Sequence, residues 1–335
     1  MKKIVFTLCS NNYLAQAKTL GDSLQSTNPD IKFIIGLTDK LNPQIDYSFF
    51  KPFEILPYYT IGVSTFEEMA AKYNIIEFNT SVKPFYFEYL FNTYGKDSLI
   101  YYLDPDILVY ESFAELHALL AEYNFLLTPH ITQPELTLTP HETIFLNVGI
   151  YNLGFIGMRY SENTKLFLGW WQNRLKDHCY INFAEGLFVD QIWVNFIHLL
   201  FEKIYILRWP GCNMAYWNFF ERTLINSEGR YYVNSKDNPL VFFHFSAFNP
   251  ETPSRLARDW RTDFTDKSRP DLAALYVDYA THLRGNKYDV LSKVAPLLNF
   301  RPAVGQRIVK DTKRRRIDQR IKKRLKGYIE ALFKA

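Results

Sequence analysis

With 335 residues, 47% of them hydrophobic and 22% charged, the chain has material for a sizeable core in one large or two ordinary domains, which excludes a disordered polypeptide. Its three cysteines, Cys9, Cys179 and Cys212, show neither CxxC nor CxxH spacing, so neither a zinc site nor a disulfide framework is indicated, and a reducing, cytoplasmic setting fits. The net charge of +4 conceals two electrically different parts: Arg301 to Ala335 hold thirteen Lys or Arg against three acids, a net of +10, which leaves −6 for residues 1 to 300.

The apolar run in the opening MKKIVFTLCSNN is too short for a signal-peptide core, and no segment reaches membrane-spanning length. Within it, IVFTLCS predicts a strand; NYLAQAKTLGDSLQS then predicts a helix and KFIIGLTD a second strand, with Asn28-Pro29-Asp30 as the turn between. This is the βαβ grammar of a parallel sheet covered by helices. EILPYY predicts a short strand, and a helical region runs from about Ser64 to Tyr94, punctuated by Thr80 and Pro84. SLIYYLDPDILVY and NFLLTP follow as strands, TIFLNVGIYNLGFIGMR as a strand or strand pair, and SENTKLFLGWWQNRLKDHC as a helix opened by a Ser/Asn cap. VDQIWVNF predicts a capped helix start, and LVFFHFSAF is the last strand-like run. No repeat or low-complexity linker interrupts this part, so the expected architecture is one α/β domain over residues 1–260 with mixed edge strands, followed by a helical extension over 261–335.

Two carboxylates, Asp104 and Asp106, stand one residue apart inside the apolar run SLIYYLDPDILVYE. Buried carboxylates need a compensating partner. Pro105 ends the strand there, so both carboxylates are placed to face one cation at the carboxyl edge of a sheet, where open α/β folds bind ligands. Solvated acids in a loop are the plain alternative for an isolated DxD triplet. Its position after a hydrophobic strand and a βαβ unit resembles a GT-A glycosyltransferase.

The nearest resemblance is to the retaining family-8 type, carried by three further motifs. Tyr151-Asn152-Leu-Gly154-Phe-Ile-Gly-Met resembles its NxG strand, Phe188-Val-Asp190-Gln191-Ile-Trp-Val-Asn195 its DQ motif, and His244-Phe-Ser-Ala247-Phe-Asn249-Pro250 its HxxGxxKP motif. Ala247 stands where that motif has glycine and Asn249 where it has the lysine that meets a phosphate, which points to a divergent bacterial branch. Asn147 and Gly149 repeat the NxG spacing, leaving the placement of that motif open.

The resemblance implies a GT-A nucleotide-diphospho-sugar transferase fold with a mixed, mainly parallel sheet. It also implies transfer from a nucleotide-diphosphate donor, UDP-sugar foremost, to a glycan or lipid-linked glycan acceptor in bacterial surface polysaccharide or lipopolysaccharide synthesis. Asp104, Asp106 and His244 would hold Mn2+ or Mg2+, a mixed oxygen and nitrogen set. Gln191 would lie beneath the anomeric carbon, with Asp190 beside it. Asn152, Gly154 and Asn249 would bind the donor along with Asp104. Thr7, Ser10 and Asn11, at the end of the first strand, are placed for base and ribose, and Lys83 is the best cation of the middle region for a phosphate or sugar. The segment Asn213 to Asn218 offers an aromatic wall for an acceptor sugar, although buried core aromatics would look the same in sequence.

Two rival readings share these residues. Haloacid-dehalogenase-type phosphotransferases also carry DxD after a hydrophobic strand, but after their first strand and followed by Thr or Val, whereas Ile107 follows here. A catalytically silent nucleotide-sugar-binding protein would use the same side chains without turnover.

In the tail, Ile317, Ile321, Leu325, Tyr328, Ile329 and Leu332 recur at spacings of three and four, while Arg314, Arg315, Arg316, Arg320, Lys322, Lys323 and Arg324 cover much of the remaining circumference. Such a basic amphipathic helix lies in an anionic headgroup layer, each nearby cation contributing about 1 kcal/mol, or packs on the acidic body of the chain. Nucleic acid is not an expected partner. On the membrane reading, the protein co-sediments with anionic but not neutral vesicles, and truncation after Pro302 removes the effect; equal sedimentation of the intact and truncated chains would exclude that reading.

Overall fold

The computed structural model describes residues 1–135, 142–258 and 262–302. Strand β1 (Lys3–Cys9) leads through helix α1 (Leu14–Thr27) to β2 (Lys32–Leu37) and then β3 (Glu54–Pro57). Three helices follow, α2 (Phe66–Lys72), α3 (Ile75–Ser81) and α4 (Lys83–Tyr94). Next are β4 (Leu99–Leu103), β5 (Ile107–Val109), α5 (Ala114–Glu122), β6 (Phe125–Pro129), α6 (Glu142–Val148), β7 (Tyr151–Arg159) and α7 (Glu162–His178). Beyond them lie β8 (Ile181–Asn182), β9 (Leu187–Phe188), the short helices α8 (Gln191–Val194) and α9 (Ile197–Leu200), β10 (Ile204–Ile206) and β11 (Cys212–Met214). The hairpin β12 (Leu224–Ser227) and β13 (Arg230–Val233), β14 (Phe242–His244), β15 (Arg255–Arg258), β16 (Asp263–Thr265), α10 (Pro270–Gly285) and α11 (Tyr288–Leu291) complete the described elements.

The main sheet has the order β10-β6-β7-β4-β1-β2-β3, and its six neighbour pairs are parallel except the two made by β7. This is the expected mixed, mainly parallel sheet with flanking helices. Alternation along β1 divides it between two cores: Ile4, Phe6 and Leu8 pack with residues of α4 and α7, Val5 and Cys9 with residues of α1. Both faces are covered, which is why the strand reads as an unbroken apolar run. A small second sheet, β11-β14-β5, carries Phe243 and Leu108 into a third core, shared with Tyr276 and Tyr279 of α10.

Two sequence expectations change. TIFLNV is helix α6, not strand, and only Tyr151–Arg159 forms a strand. The Ser64–Tyr94 region breaks at Tyr73-Asn74 and at Val82 rather than at Thr80 and Pro84. Asn74 caps α3 by accepting from Ile76 and Glu77, whose carboxylate returns the bond to the Asn74 amide, whereas Pro84 sits harmlessly in the first turn of α4.

Compact packing runs from Met1 to Arg301, and α10 lies against α1. The Glu77 carboxylate, bound by both the Ile181 amide and the Arg301 guanidinium, pins the end of this unit. The basic tail from residue 303 onward, and the membrane expectation attached to it, lie outside the described residues. No described helix is long and apolar enough to cross a membrane. Cys9, Cys179 and Cys212 are free thiols, all buried.

Candidate active site

The Asp104 backbone N–H donates to Gly154 O at 2.8 Å, where β4 pairs with β7, and Ile107 N–H closes a turn onto Asp104 O at 3.1 Å. Pro105 occupies the second position of that turn, where its fixed φ is favourable. The chain then re-enters as β5, which pairs with β14 so that Ile107 faces His244, and Phe245 N–H donates to Asp106 O at 2.8 Å. Main-chain ladders alone thus bring three distant motifs to one point.

There, His244 Nε2 lies 3.0 Å from Asp106 Oδ1 and 3.6 Å from Asp104 Oδ2. One ligand atom from each of these residues lies within 4.8 Å of the others. His244 is 5% exposed, the two carboxylates 29% and 22%, so the acids open to solvent from a buried imidazole. Tyr102 OH donates to Asp104 Oδ1 at 2.6 Å, fixing one carboxylate oxygen and leaving the other toward His244. Burial pushes the Asp104 carboxyl up, with Lys83 and His244 opposing. His244 is pulled down by burial, but Asp106 and then Asp104 outweigh that and leave it above its ordinary value. Two oxygens and one imidazole nitrogen fit a hard or borderline divalent cation. His244 Nδ1 has no hydrogen-bond partner among the described residues.

The cluster opens into a cavity of about 760 Å³ that Lys83, Asp104, Asp106, Asn152, Gly154, Asp190, Gln191 and His244 all line. Lys83 is not free to meet a phosphate. Its ammonium, 1% exposed, donates to Asp190 Oδ2 at 2.6 Å and Leu153 O at 2.9 Å and sits 4.0 Å from the Tyr102 ring centre. Burial raises Asp190, with the Lys83 charge the main opposing influence. Gln191 Nε2 donates to Val148 O at 2.6 Å, and its Oε1 takes only a long 3.4 Å bond from Leu153 N–H. Val189, immediately before this pair, holds a φ of 42°, a strained value for a β-branched residue.

Asn152 belongs to a buried polar network. Its Oδ1 accepts from Gly154 N–H at 3.1 Å and Asn213 Nδ2 at 3.0 Å, so its Nδ2 faces His130 Nε2 at 3.3 Å as a donor. Burial takes His130 down to about 3, leaving the ring neutral and able to accept. Gly154 leaves room for the imidazole: a Cβ there would lie 2.5 Å from His244 Cε1 and 2.7 Å from its Nδ1. Gly154→Ala is therefore expected to displace the imidazole and weaken Mn2+ binding by roughly 10–100-fold, the scale for a disturbed ligand orientation. Calorimetric Mn2+ titration checks this; an unchanged affinity would remove His244 from the ligand set.

The structure does not bring Thr7, Ser10, Asn11 or Asn249 to the cavity lining. Thr7 is fully buried, and Ser10 Oγ donates to Asn12 Oδ1. Asn11 is consumed by Asp39, Lys40 O and the Tyr47 hydroxyl. Asn249 is exposed and accepts from Glu251 N–H in a turn. Tyr13 reaches the cavity from that end instead. Ala247 has φ 63°, the conformation that glycine favours in the resembled motif.

No family model matches the chain. Two curated relatives are both described as uncharacterized proteins of Bacillus subtilis (strain 168): YfnF, 23% identical over 279 residues, 83% of this chain and 91% of that one, and YfnD, 20% identical over 210 residues, 62% and 65%. Among solved structures, the galactosyltransferase LgtC, in complex with donor and acceptor sugar analogs, is similar at a TM-score of 0.45 and 16% identity over 85% of this chain and 99% of that one. The glycosyltransferase GlyE in Streptococcus pneumoniae TIGR4 is similar at 0.46 and 15%, over 88% and 66%.

Sequence reasoning missed α6, whose Ile144, Phe145 and Val148 line one wall, and His130, which stacks on Phe145 at 4.9 Å. Glu142 before this short run and Gly149 after it, residue types that open and close helices, were the available signal, the run itself being too short for its spacing to decide.

Proposed function

We propose that the protein is a metal-dependent glycosyltransferase that takes a sugar from a nucleotide-diphosphate donor, UDP-sugar foremost, with retention of configuration. The carrying observation is the convergence of Asp104, Asp106 and His244 on one point at the mouth of a cavity whose described lining cations are already engaged. Lys83 is paired with Asp190, and the Arg269 guanidinium is held by Asp271 at 2.6 Å. An anionic diphosphate beside two carboxylates needs a cation between them. Bound there, Mn2+ or Mg2+ would supply the positive charge that stabilises the departing nucleoside diphosphate.

The chain's own residues do the rest. Tyr102 and the Gly154 carbonyl hold Asp104, while the Ile107 turn and the His244 strand hold Asp106. Lys83 fixes Asp190 where its carboxylate can take sugar hydroxyls. Gln191 lines the cavity with its Nε2 donating to Val148 O, and its amide dipole would stabilise positive charge developing at the anomeric carbon. The acceptor side of this reading is a glycan or lipid-linked glycan of bacterial surface polymers, met at the inner face of the membrane.

The test is hydrolysis and transfer with a panel of nucleotide sugars, with and without Mn2+. Metal-dependent release of nucleoside diphosphate from one donor is the expected result; its absence across the panel would refute the reading. Proton magnetic resonance of the first-formed sugar product decides retention, the donor's own anomer being expected.

A further inference from the structure

Asp104 follows β4 of the main sheet, whereas Asp106 precedes β5 and His244 ends β14, both of the small sheet β11-β14-β5. The cluster therefore straddles two sheets, and its spacing depends on how they are tied together. At the β5 edge the tie is covalent, through the turn from Asp104 to Ile107. At the β11 edge the tie is a side chain, Asn213.

Asn213 is fully buried and holds φ 56°, a left-handed conformation that asparagine tolerates better than most residues. The ladder pairs Cys212 with Phe242 and Met214 with Phe243, so Asn213 is an extra residue bulged out of β11. Its amide crosses to the main sheet, where Nδ2 donates to Thr128 Oγ1 of β6 at 2.9 Å and to Asn152 Oδ1 of β7 at 3.0 Å. Its Oδ1 has no hydrogen-bond partner among the described residues. A disturbed ladder and an unpaired buried acceptor both disfavour the fold, so packing alone does not account for this residue.

The same network reaches His244 by two further routes. Asn152 Oδ1 also accepts from Gly154 N–H at 3.1 Å, and Gly154 faces the imidazole so closely that a Cβ would lie 2.5 Å from its Cε1. Asn213 O accepts from Asn218 Nδ2 at 3.0 Å, which holds the turn whose Trp217 stands edge-on to the His244 ring at 5.1 Å.

We propose that Asn213 is a positioning residue for the metal cluster: its amide clamps the β11 edge of the small sheet to β6 and β7 and so fixes His244 against Asp104. This rests on the metal-dependent reading of the site. Asn213 acts through His244 and touches neither ion nor sugar. Because β14 is the middle strand, held between the two ties, loosening the β11 side lets the imidazole drift from Asp104, while the covalent turn keeps the two carboxylates together.

Asn213→Gly removes the amide and accepts the left-handed backbone without strain. Calorimetric titration of the full-length chain with Mn2+ alone is expected to show affinity about tenfold weaker, the lower end for losing a group that orients a ligand. Pulsed electron paramagnetic resonance of the bound Mn2+ gives a second readout: the native chain shows nitrogen modulation from the imidazole, and Asn213→Gly loses most of it while the carboxylates still hold the ion. Thr128→Val, close to isosteric, takes away one acceptor of the clamp and is expected to weaken Mn2+ about threefold, the scale of one net hydrogen bond. Added to Asn213→Gly it has no further effect, since both changes break one bridge. Leu120→Ala, in the buried face of α5, is the control: it lowers the urea midpoint and keeps both Mn2+ affinity and nitrogen modulation. Native affinity with full modulation in Asn213→Gly, or losses that Leu120→Ala reproduces, would overturn the inference. Should Asn213→Gly fail to fold, Thr128→Val decides alone, and native values there overturn it equally. Failure of the parent reading looks different: the native chain itself then binds no Mn2+, and the inference falls with it.

Discussion

Lys83→Met is expected to destabilise the protein by about 3–5 kcal/mol, the range for removing one partner of a buried ion pair. Lys83 and Asp190 have side-chain exposures of 1% and 3%, and the ammonium also satisfies Leu153 O and lies over Tyr102. Without it the carboxylate faces a low-dielectric interior alone, already pushed up by burial with Lys83 as the main counterweight. Pairing the change with Asp190→Asn leaves no charge unpaired, so the double variant should recover more than half of the loss. Urea denaturation of both variants measures this, the midpoint shifting with little change in slope. An unshifted midpoint for Lys83→Met would mean that the pair does not compensate a buried charge. Binding tells a separate story, because the ammonium is oriented inward: the loss of donor affinity is expected to follow from a misplaced Asp190 and to be shared by Asp190→Asn.

This pair shows where sequence reasoning stopped. Lys83 among aromatics reads as a cation for a phosphate or sugar; nothing local says that it and Asp190, 107 positions away, neutralise each other. Asp104 and Asp106 stood out because their signals are local, an apolar run with a proline between two acids, whereas His244 came to them only through the resemblance of its motif. The register of β5 against β14, which places Ile107 opposite His244, is tertiary, yet it follows from both strands belonging to one small sheet. The β1 and β2 pattern was equally clear, for alternate residues of β1 feed two cores.

Helix α6 was not legible as such because TIFLNV is a short apolar run, and periodicity cannot tell a buried strand from a buried helix turn at that length. Asn11 looked available for a ribose because its partners Asp39 and Tyr47 are distant in sequence. Asp39 has further duties, accepting from the amides of Leu297 and Leu298 and so tying the end of the compact unit to the edge of β2. Propensity says nothing about such a strap. At Gly154 the missing Cβ makes room for the His244 ring, a neighbour 90 positions away that nothing local announces.

Asp106→Asn is expected to separate function from stability. The amide matches the carboxylate in size, and the side chain is 22% exposed, so the change leaves no cavity and strands no fully buried charge. Two effects on the fold oppose each other: His244 loses its nearer anionic partner, at 3.0 Å, while repulsion between two neighbouring carboxylates is relieved. For a partly exposed pair these should cancel to within about 1 kcal/mol. Divalent-cation binding has no such cancellation. It loses a full negative charge from a set of three ligands, and neither Lys83 nor Arg269 is free to hold the diphosphate in its place. Turnover of the accepted nucleotide sugar should fall by about 10²–10³-fold, the scale for removing one preorganised electrostatic group, and Mn2+-dependent nucleotide binding should disappear from calorimetric titrations at concentrations where the native chain saturates. Asp104→Asn should behave alike in binding but lose more stability, since Tyr102 OH donates to that carboxylate at 2.6 Å and would be left with a weaker acceptor. If Asp106→Asn retains metal-dependent binding at native strength, Asp106 is not a ligand and the cluster has another purpose. If instead it melts several degrees lower with binding intact, the carboxylate serves the fold by holding His244 in place.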